Sequence, residues 1–319
     1  MRDPGVRRQL LSGVLIAWVI AAPTLAQAPV AAPPAISADA LMATAWTLAS
    51  DEYQGRAAGT EGGAKARAFI LQRFSSLGLR PVGDSFEHPF TFTPNGQNTR
   101  GTEKAESRGV NLVGRCSGRE PALPAIVLSA HYDHLGLREG RVYPGADDNA
   151  SGVATLLELA AQCMAQPFRH DLVIVAFDAE EGGLHGAKAF VSAPTLPRDR
   201  VALNVNLDMV ARGDTGEIYI AGARHSPALG PLLEPVAARA PIRVRFGHDV
   251  PGSGKDDWTL QSDHGPFHRA GVPFVYFGVE DHPDYHKPTD TADKIDPDFF
   301  AKAAGVVLDA LRALDAGVT

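Results

Sequence analysis

Histidine and carboxylate side chains are concentrated in five short segments of this sequence. The segments are 131–134 (HYDH), 145–152 (GADDNASG), 177–183 (FDAEEGG), Asp208 with its flanks, and 281–290 (DHPDYHKPTD). Taken singly, each has an ordinary explanation as a hydrogen-bonded loop, a helix cap or a solvated surface. Imidazole nitrogens and carboxylate oxygens without thiolates suit a borderline cation such as zinc. A metal centre is the explanation that all five segments share.

The adjacent carboxylates Glu180 and Glu181 follow an apolar run, 172–177, and precede two glycines. On an exposed helix such a pair would simply be solvated. At the end of a buried strand the two side chains would share a cleft, where their mutual repulsion requires a compensating partner. The pair is explained if one carboxylate binds a metal ion and the other accepts a proton from the water that the metal activates.

Three other segments supply further candidate ligands. Asp148 belongs to a polar cluster larger than a helix cap needs, and a carboxylate there could bridge two cations. Asp208 is isolated in an apolar stretch, where a buried carboxylate needs a cation or strong hydrogen bonds. A metal-binding histidine usually donates its second ring N–H to a carboxylate, and Asp133 stands two residues after His131. Five ligands with one shared carboxylate suffice for two ions roughly 3.5 Å apart.

The elements that position these residues are short apolar runs that alternate with helical patterns. Four runs, 125–129, 172–177, 201–207 and 273–277, are each followed within a few residues by His, Asp or Glu. Nearly continuous apolar runs are typical of strands covered on both faces, as in parallel sheets. In such sheets the carboxyl ends of the strands meet in one crevice. We therefore predict an α/β fold with parallel strands that bring the polar residues together. Helices are predicted at 39–50 and 64–77, joined through a glycine-containing loop at 55–60.

The first residues differ in character from the rest of the chain. Arg2, Arg7 and Arg8 precede an apolar run, 10–22, and a small-residue sequence at 25–28. This order is typical of a secretory signal, and the run is shorter than the roughly 20 residues of a spanning helix. We predict a signal peptide at 1–26, a linker at 27–36 and a single catalytic domain at 37–319. The mature protein is expected in the periplasm or outside the cell, without membrane contact.

Charge and cysteine content exclude some classes of protein. The 319-residue chain has a formal net charge of −7, and loss of the arginine-rich signal would make it more negative. Non-specific nucleic-acid binding depends on Lys and Arg neutralising phosphates, so no nucleic-acid partner is expected. Cys116 and Cys163 lack the spacing of a zinc knuckle. We interpret them as structural, and an exported setting leaves open whether they pair.

In this order, the five segments resemble the co-catalytic two-zinc aminopeptidase family. Its members include secreted bacterial leucyl aminopeptidases, glutamate carboxypeptidases and glutaminyl cyclases. The resemblance extends from about residue 48 to the C-terminus and includes 55–60 (GRAAGT) and 262–267 (SDHGPF). It implies the zinc-exopeptidase fold, a three-layer α/β/α sandwich with a mixed, mostly parallel central sheet. It also implies two Zn²⁺ per chain and peptide substrates.

The same resemblance implies a role for each candidate residue. His131 and Glu181 would bind one zinc ion, Asp208 and His286 the other, with Asp148 bridging the two. Glu180 would be the general base, Asp133 the hydrogen-bond partner of His131, and Tyr285 a donor to the oxyanion. The family further implies a cis peptide bond between Asp148 and Asn149.

The resulting expectation is release of N-terminal amino acids from peptides by hydrolysis. A carboxypeptidase or dipeptide hydrolase of the same family and a single-zinc glutaminyl cyclase are alternatives. Candidate anchors for a substrate carboxylate are Arg212, Arg224, Arg243 and Arg245. A receptor-like binding domain is disfavoured because no ligand position is missing. The order of the motifs argues against a two-metal phosphoesterase.

Overall fold

The computed structural model describes Met1 and residues 35–93, 106–193 and 196–318. The chain divides into two compact units, Met1–Ala32 and Pro33–Thr319. All but the first residue of the predicted signal peptide, and most of the linker, lie outside the described residues, so both stay predictions. Within the described ranges, no helix has the length and apolarity needed to cross a membrane.

Helices and strands alternate along most of the second unit. The helices in the described ranges are α1 (Ala38–Leu48), α2 (Glu61–Leu77), α3 (Gly152–Ala165), α4 (His185–Ser192), α5 (Gly230–Arg239), α6 (His264–Arg269) and α7 (Pro297–Gly317). The strands are β1 (Arg80–Pro81), β2 (Glu87–Phe92), β3 (Ser107–Cys116), β4 (Ala125–His131), β5 (Gly136–Arg138), β6 (Arg141–Tyr143), β7 (Leu172–Phe177), β8 (Val201–Leu207), β9 (Glu217–Ala221), β10 (Arg243–Phe246) and β11 (Phe274–Gly278).

One nine-stranded sheet forms the centre of this unit, in the order β1-β3-β7-β4-β8-β11-β9-β10, with β2 also paired to β3. The neighbours β7, β4, β8 and β11 all run parallel. Strands β3 and β9 are antiparallel to the outer members of that group. The four apolar runs of the sequence are these four parallel strands, so the prediction is confirmed. Their carboxyl ends share one edge of the sheet.

Helices cover both faces of the sheet. Side chains alternate along β4: Ile126 and Leu128 pack with α1, α2, α3, α5 and α7, whereas Val127 packs with α4 and α6. Each fully buried side chain of this size contributes about 1.5–3 kcal/mol of hydrophobic stabilisation. The predicted three-layer α/β/α arrangement is therefore confirmed.

The two N-terminal helices have clear sequence signals at their ends. Helix α2 begins three residues before the predicted start, because the side chain of Thr60 caps it by accepting from the Gly63 N–H at 3.3 Å. It ends at Gly78, whose φ of 77° is a left-handed conformation that favours glycine. Helix α1 follows the cap at Ser37, which accepts from the Ala40 N–H at 3.1 Å.

The two cysteines, whose pairing the sequence left open, form a disulfide. Cys116 is the last residue of β3 and Cys163 lies in α3, 47 residues later. Cys116 pairs in the sheet with Leu172, the first residue of β7. The disulfide therefore joins a helix to the sheet at the end opposite the carboxyl ends of the parallel strands.

Candidate metal centre

A polar cleft of about 310 Å³ lies at the carboxyl ends of the parallel strands. His131 is the last residue of β4, Asp208 directly follows β8, and Glu180 and Glu181 follow β7. All four line the cleft, together with Asp148, which precedes α3, and Tyr285 and His286 from the loop after β11. The structure therefore brings seven of the eight predicted site residues to one cleft, and Asp133 lies directly behind it.

His131, Asp148 and Asp208 form one buried group. The Nε2 atom of His131 lies 3.2 Å from Oδ1 of Asp208 and 3.3 Å from Oδ1 of Asp148. One nitrogen or oxygen atom from each residue lies within 4.8 Å of the others, a spacing that a single cation could fill. One imidazole and two carboxylates are a ligand set that zinc accepts.

A second group forms on the other side of Asp148. The Nε2 atom of His286 lies 3.1 Å from Oδ2 of Asp148 and 3.4 Å from Oε2 of Glu181. His134 approaches the same group from inside the protein, with Nδ1 2.6 Å from Oε1 of Glu181 and 3.6 Å from Oδ2 of Asp148. Asp148 thus presents one oxygen to each group, as a bridging carboxylate would.

The pairing of ligands differs from the expected one. The resemblance grouped His131 with Glu181 and Asp208 with His286, and this grouping is wrong: His131 lies with Asp208, and Glu181 with His286. Strands β4 and β8 are direct neighbours, so the side chains at their ends meet. Glu181 lies beyond the end of β7, after the chain turns at Ala179 with a φ of 57°.

Hydrogen bonds to Asp290 and to the end of β8 hold the turn that carries Asp148. The carboxylate of Asp290 accepts from the backbone N–H groups of Asp147 and Asp148, at 3.1 Å. The side chain of Asn149 donates to the Leu207 carbonyl at 2.9 Å and accepts from the Met209 N–H at 3.2 Å. The expected cis peptide bond between Asp148 and Asn149 is present. These bonds tie the turn to the end of β8, next to Asp208.

Asp133 connects the first group to the adjacent glutamates Glu180 and Glu181. Its carboxylate accepts from the backbone N–H groups of Glu180 at 3.0 Å and Glu181 at 3.3 Å. Nδ1 of His131 lies 3.0 Å from the backbone carbonyl oxygen of Asp133 and 3.8 Å from Oδ1 of the Asp133 carboxylate. The closest partner of His131 is therefore the main chain of Asp133, and the carboxylate mainly fixes the loop of Glu180 and Glu181.

The charges in this cleft are strongly coupled. Burial and Asp148 raise the pKa of Glu181, but His134 and His286 outweigh them and lower it to about 2. Burial raises the pKa of Glu180 well above its ordinary value, and Glu181 adds to the rise while His131 opposes it. Burial lowers the pKa of His131, yet Asp208 and Glu180 together raise it well above its ordinary value. The adjacent glutamates thus differ: Glu181 is held ionised, whereas Glu180 has a high proton affinity.

The residues present fit a pair of cations. The carboxylates of Asp148, Glu181 and Asp208 are buried or nearly so, and in the described part of the chain their ion-pair partners are imidazoles, not Lys or Arg. Oε1 of Glu181 and both ring nitrogens of His134 are buried without a well-oriented hydrogen bond. Buried carboxylates that meet in this way require positive charge between them.

Comparison with known proteins agrees with this geometry. The profile of peptidase family M28 matches residues 111–311, more than half of the chain and the part that contains every candidate ligand. The chain belongs to peptidase family M28. Aminopeptidase YwaD of Bacillus subtilis is 30% identical over 217 residues, which are 63% of this chain and 44% of that protein. The chain thus spans less than half the length of that relative.

Solved structures share the fold of this M28 chain. A zinc aminopeptidase from Bacillus subtilis superposes with a TM-score of 0.71 at 19% identity, covering 90% of this chain and 97% of that one. A glutaminyl cyclase from Bacteroides thetaiotaomicron superposes with a TM-score of 0.68 at 18% identity, covering 88% and 99%. The expected zinc-exopeptidase fold is confirmed, although at these identities the likeness extends to the fold alone.

Two residues of the candidate metal centre had no role in the sequence-based prediction. His134 stands in the first segment, three residues after His131, and the signal that could have identified it is an unassigned histidine beside a candidate ligand. Asp290 ends the last segment and holds the turn of Asp148 through main-chain groups. Its contribution depends on a backbone hydrogen bond over 142 residues, which no local pattern reveals.

Proposed function

We propose that this chain is a two-zinc aminopeptidase that removes N-terminal residues from peptides by hydrolysis. The observation that carries the proposal is the position of Asp148, whose two oxygens face two separate groups of ligands within one cleft. His131 and Asp208 would hold one ion, Glu181 and His286 the other, and Asp148 both. Similarity to aminopeptidase YwaD, and the fold shared with a zinc aminopeptidase, support the same function.

Bound zinc would polarise the scissile carbonyl and lower the pKa of water at the centre. Glu180 takes the proton that this water loses as its oxygen adds to the carbonyl carbon. The raised pKa of Glu180 suits a base that must then deliver the same proton to the leaving amine. The C–N bond breaks as the amine is protonated, and the products are an amino acid and a shortened peptide. Asp133 positions Glu180 by accepting from its backbone N–H.

Tyr285 would stabilise the oxyanion. Its ring stacks on that of His286 at 3.9 Å between centroids, and it lines the cleft. Burial and the nearby carboxylate of Asp148 raise the pKa of its phenol, so the hydroxyl stays protonated and can donate a hydrogen bond. Donors fixed in advance towards developing charge are a major source of catalysis.

The distribution of arginines favours an aminopeptidase over a carboxypeptidase. All four candidate carboxylate anchors already pair with acids: Arg212 with Asp214 and Asp284, Arg224 with Asp249, and Arg243 and Arg245 with Glu217. No Lys or Arg is among the described residues that line the cleft, whereas Glu180, Asp208 and Asp281 are. With zinc bound to Asp208, the carboxylate of Asp281 would remain to attract a substrate ammonium group, and no cationic side chain among the described lining residues would hold a terminal carboxylate.

A substrate panel tests the proposal. Amino-acid anilides with a free amine, the same anilides with a blocked amine, peptides with a blocked N-terminus, a glutaminyl peptide and a phosphate ester are each incubated with and without a chelator. We expect hydrolysis of the free-amine anilides that the chelator abolishes and zinc restores. Hydrolysis of blocked peptides from the C-terminus, or cyclisation without hydrolysis, would instead identify one of the alternatives.

We further propose that the protein is exported. The support is the signal-like N-terminus and the disulfide between Cys116 and Cys163, a bond that persists in oxidising compartments. N-terminal sequencing of the protein recovered from periplasmic and extracellular fractions of a producing bacterium tests this. A chain that starts near residue 27 is expected, and a full-length chain in the cytoplasm would contradict it.

A further inference from the structure

Arg56 is completely buried, and its guanidinium group is surrounded by main-chain oxygens. It donates from Nε to the carbonyl of Tyr132 at 2.9 Å, from Nη1 to the carbonyls of Leu48 at 2.8 Å and Pro144, and from Nη2 to the carbonyl of Gly145 at 2.8 Å. None of these partners is charged. Lys, Arg and other ionised groups are almost never fully buried without a charged partner, so this arrangement needs a reason.

Three of the four carbonyls, those of Tyr132, Pro144 and Gly145, belong to the segments that carry the proposed metal ligands. Tyr132 lies between His131 and Asp133, in the segment after β4. Pro144 and Gly145 lead into the turn of Asp148. The fourth carbonyl, that of Leu48, is at the end of α1. The planar guanidinium therefore connects the segment of His131 with the segment of Asp148, and Arg56 is not among the described residues that line the cleft.

The position of the guanidinium is also fixed by an unusual backbone. Gln54, Gly55 and Arg56 have φ angles of 49°, 67° and 54°, a run of left-handed conformations. A Cβ at Gly55 would clash with the carbonyl oxygen of Tyr143 and lie 2.8 Å from that of Gly136. The turn is thus pressed against the segment between β4 and Asp148. Strain of this kind persists only where the surroundings hold it, and it is common near functional sites.

The charge of Arg56 interacts with the carboxylates of the candidate metal centre. Burial lowers the pKa of its guanidinium to about 10, so it stays protonated at neutral pH. Asp148 is the carboxylate that most opposes this lowering, followed by Asp290, Asp133 and Glu181. Arg56 is therefore a fixed cation behind an acidic cluster whose carboxylates it does not contact directly.

We propose that Arg56 is a positioning residue for the metal centre: its guanidinium sets the separation between His131 and Asp148, on which zinc affinity depends. The inference rests on the proposed zinc centre. It requires the forked geometry of the side chain as well as its charge, because a lysine ammonium has only three donors on a single atom and cannot reproduce a fork that donates to four carbonyls. Residues that orient metal ligands typically change metal affinity 10–100-fold when they are replaced.

The test compares Arg56→Lys with Arg200→Lys. Arg200 also donates to three consecutive main-chain carbonyls, those of Pro121, Ala122 and Leu123. It is exposed and precedes β8 at the end opposite Asp208, so its replacement controls for the loss of such bonds elsewhere. Zinc affinity of the metal-free full-length chains is measured by competition with a chromophoric chelator, and thermal unfolding of the same metal-free chains is recorded in parallel.

We expect Arg56→Lys to bind zinc about 10–100-fold more weakly than the wild type, while Arg200→Lys stays close to it. Unchanged zinc affinity in Arg56→Lys, with or without a lower melting temperature, would overturn the proposal and leave Arg56 a structural residue. A wild-type chain that binds no zinc would instead refute the proposed function. If Arg56→Lys does not fold, Arg56→Gln, which retains a side-chain donor, is used in the same comparison.

Discussion

The imidazole of His131 and the carboxylate of Asp208 meet at 3.2 Å although 77 residues separate them in the chain. They meet because β4 and β8 are parallel neighbours, and each residue stands where its strand ends. Below them, Ser129 donates to the side chain of Asn206 at 2.7 Å, which fixes the register of the same two strands. The spacing of His131 and Asp208 is therefore a property of the sheet itself, and this pair should survive changes in the surrounding loops.

Replacement of Glu180 by Gln should remove most of the turnover without loss of metal. Glutamine retains the shape of the side chain but cannot accept the proton, and general-base catalysis contributes about 10²–10⁴-fold. We expect two zinc ions per chain by elemental analysis and a fall in kcat of that size on free-amine anilides. A variant that hydrolyses these substrates at the wild-type rate would show that Glu180 is not the base.

Variants of His286 and His134 should show that His286 binds zinc directly, whereas His134 supports the ligand Glu181. His286 faces both Asp148 and Glu181, so His286→Ala should retain one zinc ion instead of two. His134 is buried behind Glu181, so His134→Ala should keep both ions and bind one of them about 10–100-fold more weakly. Zinc titration monitored by calorimetry gives both the number of sites and their affinities.

His88→Ala is the control for these two variants. His88 lies in β2 and contacts the carbonyls of Val82 and Ser85, with no part in the cleft. It should bind zinc as the wild type does. The opposite result, one lost ion in His134→Ala and two retained in His286→Ala, would exchange the roles of the two histidines.

Replacement of Tyr285 by Phe should lower kcat and leave KM nearly unchanged. The phenol would contact the oxyanion, which exists only after water has added, and loss of one such donor costs about 10²–10³-fold. The ring that stacks on His286 is retained, so zinc content should not change. Steady-state kinetics on one anilide decide the matter, since a rise in KM alone would mean that Tyr285 binds substrate and does not stabilise the oxyanion.

Sequence patterns predicted the strands and the cleft better than they predicted which ligands lie together. The runs that became β4, β7, β8 and β11 were evident because strands buried on both faces must be apolar. The grouping of His131 with Asp208 depends on which strands are neighbours, and β8 lies beside β4 although β7 stands between them in the chain. Arg56 donates to main-chain oxygens, which every residue type has, so the sequence does not show these contacts.

Loss of the disulfide should destabilise the fold and leave catalysis intact. Cys116 and Cys163 close a 47-residue loop, for which chain entropy gives about 3–5 kcal/mol. The double variant Cys116→Ser/Cys163→Ser should lose roughly this free energy of unfolding in urea, as should the reduced wild type. Its kcat should stay unchanged because Cys116 lies at the far end of the sheet from the cleft. A large loss of activity in the folded double variant would contradict this separation.

The most direct test of the proposed centre is anomalous X-ray diffraction at the zinc absorption edge, from crystals of the chain grown with zinc. We predict two peaks roughly 3.5–4 Å apart. One should lie between His131 and Asp208 and the other between Glu181 and His286, with the carboxylate of Asp148 in contact with both. A single peak, or a pair of peaks at any other residues, would contradict the assignment of a two-zinc centre.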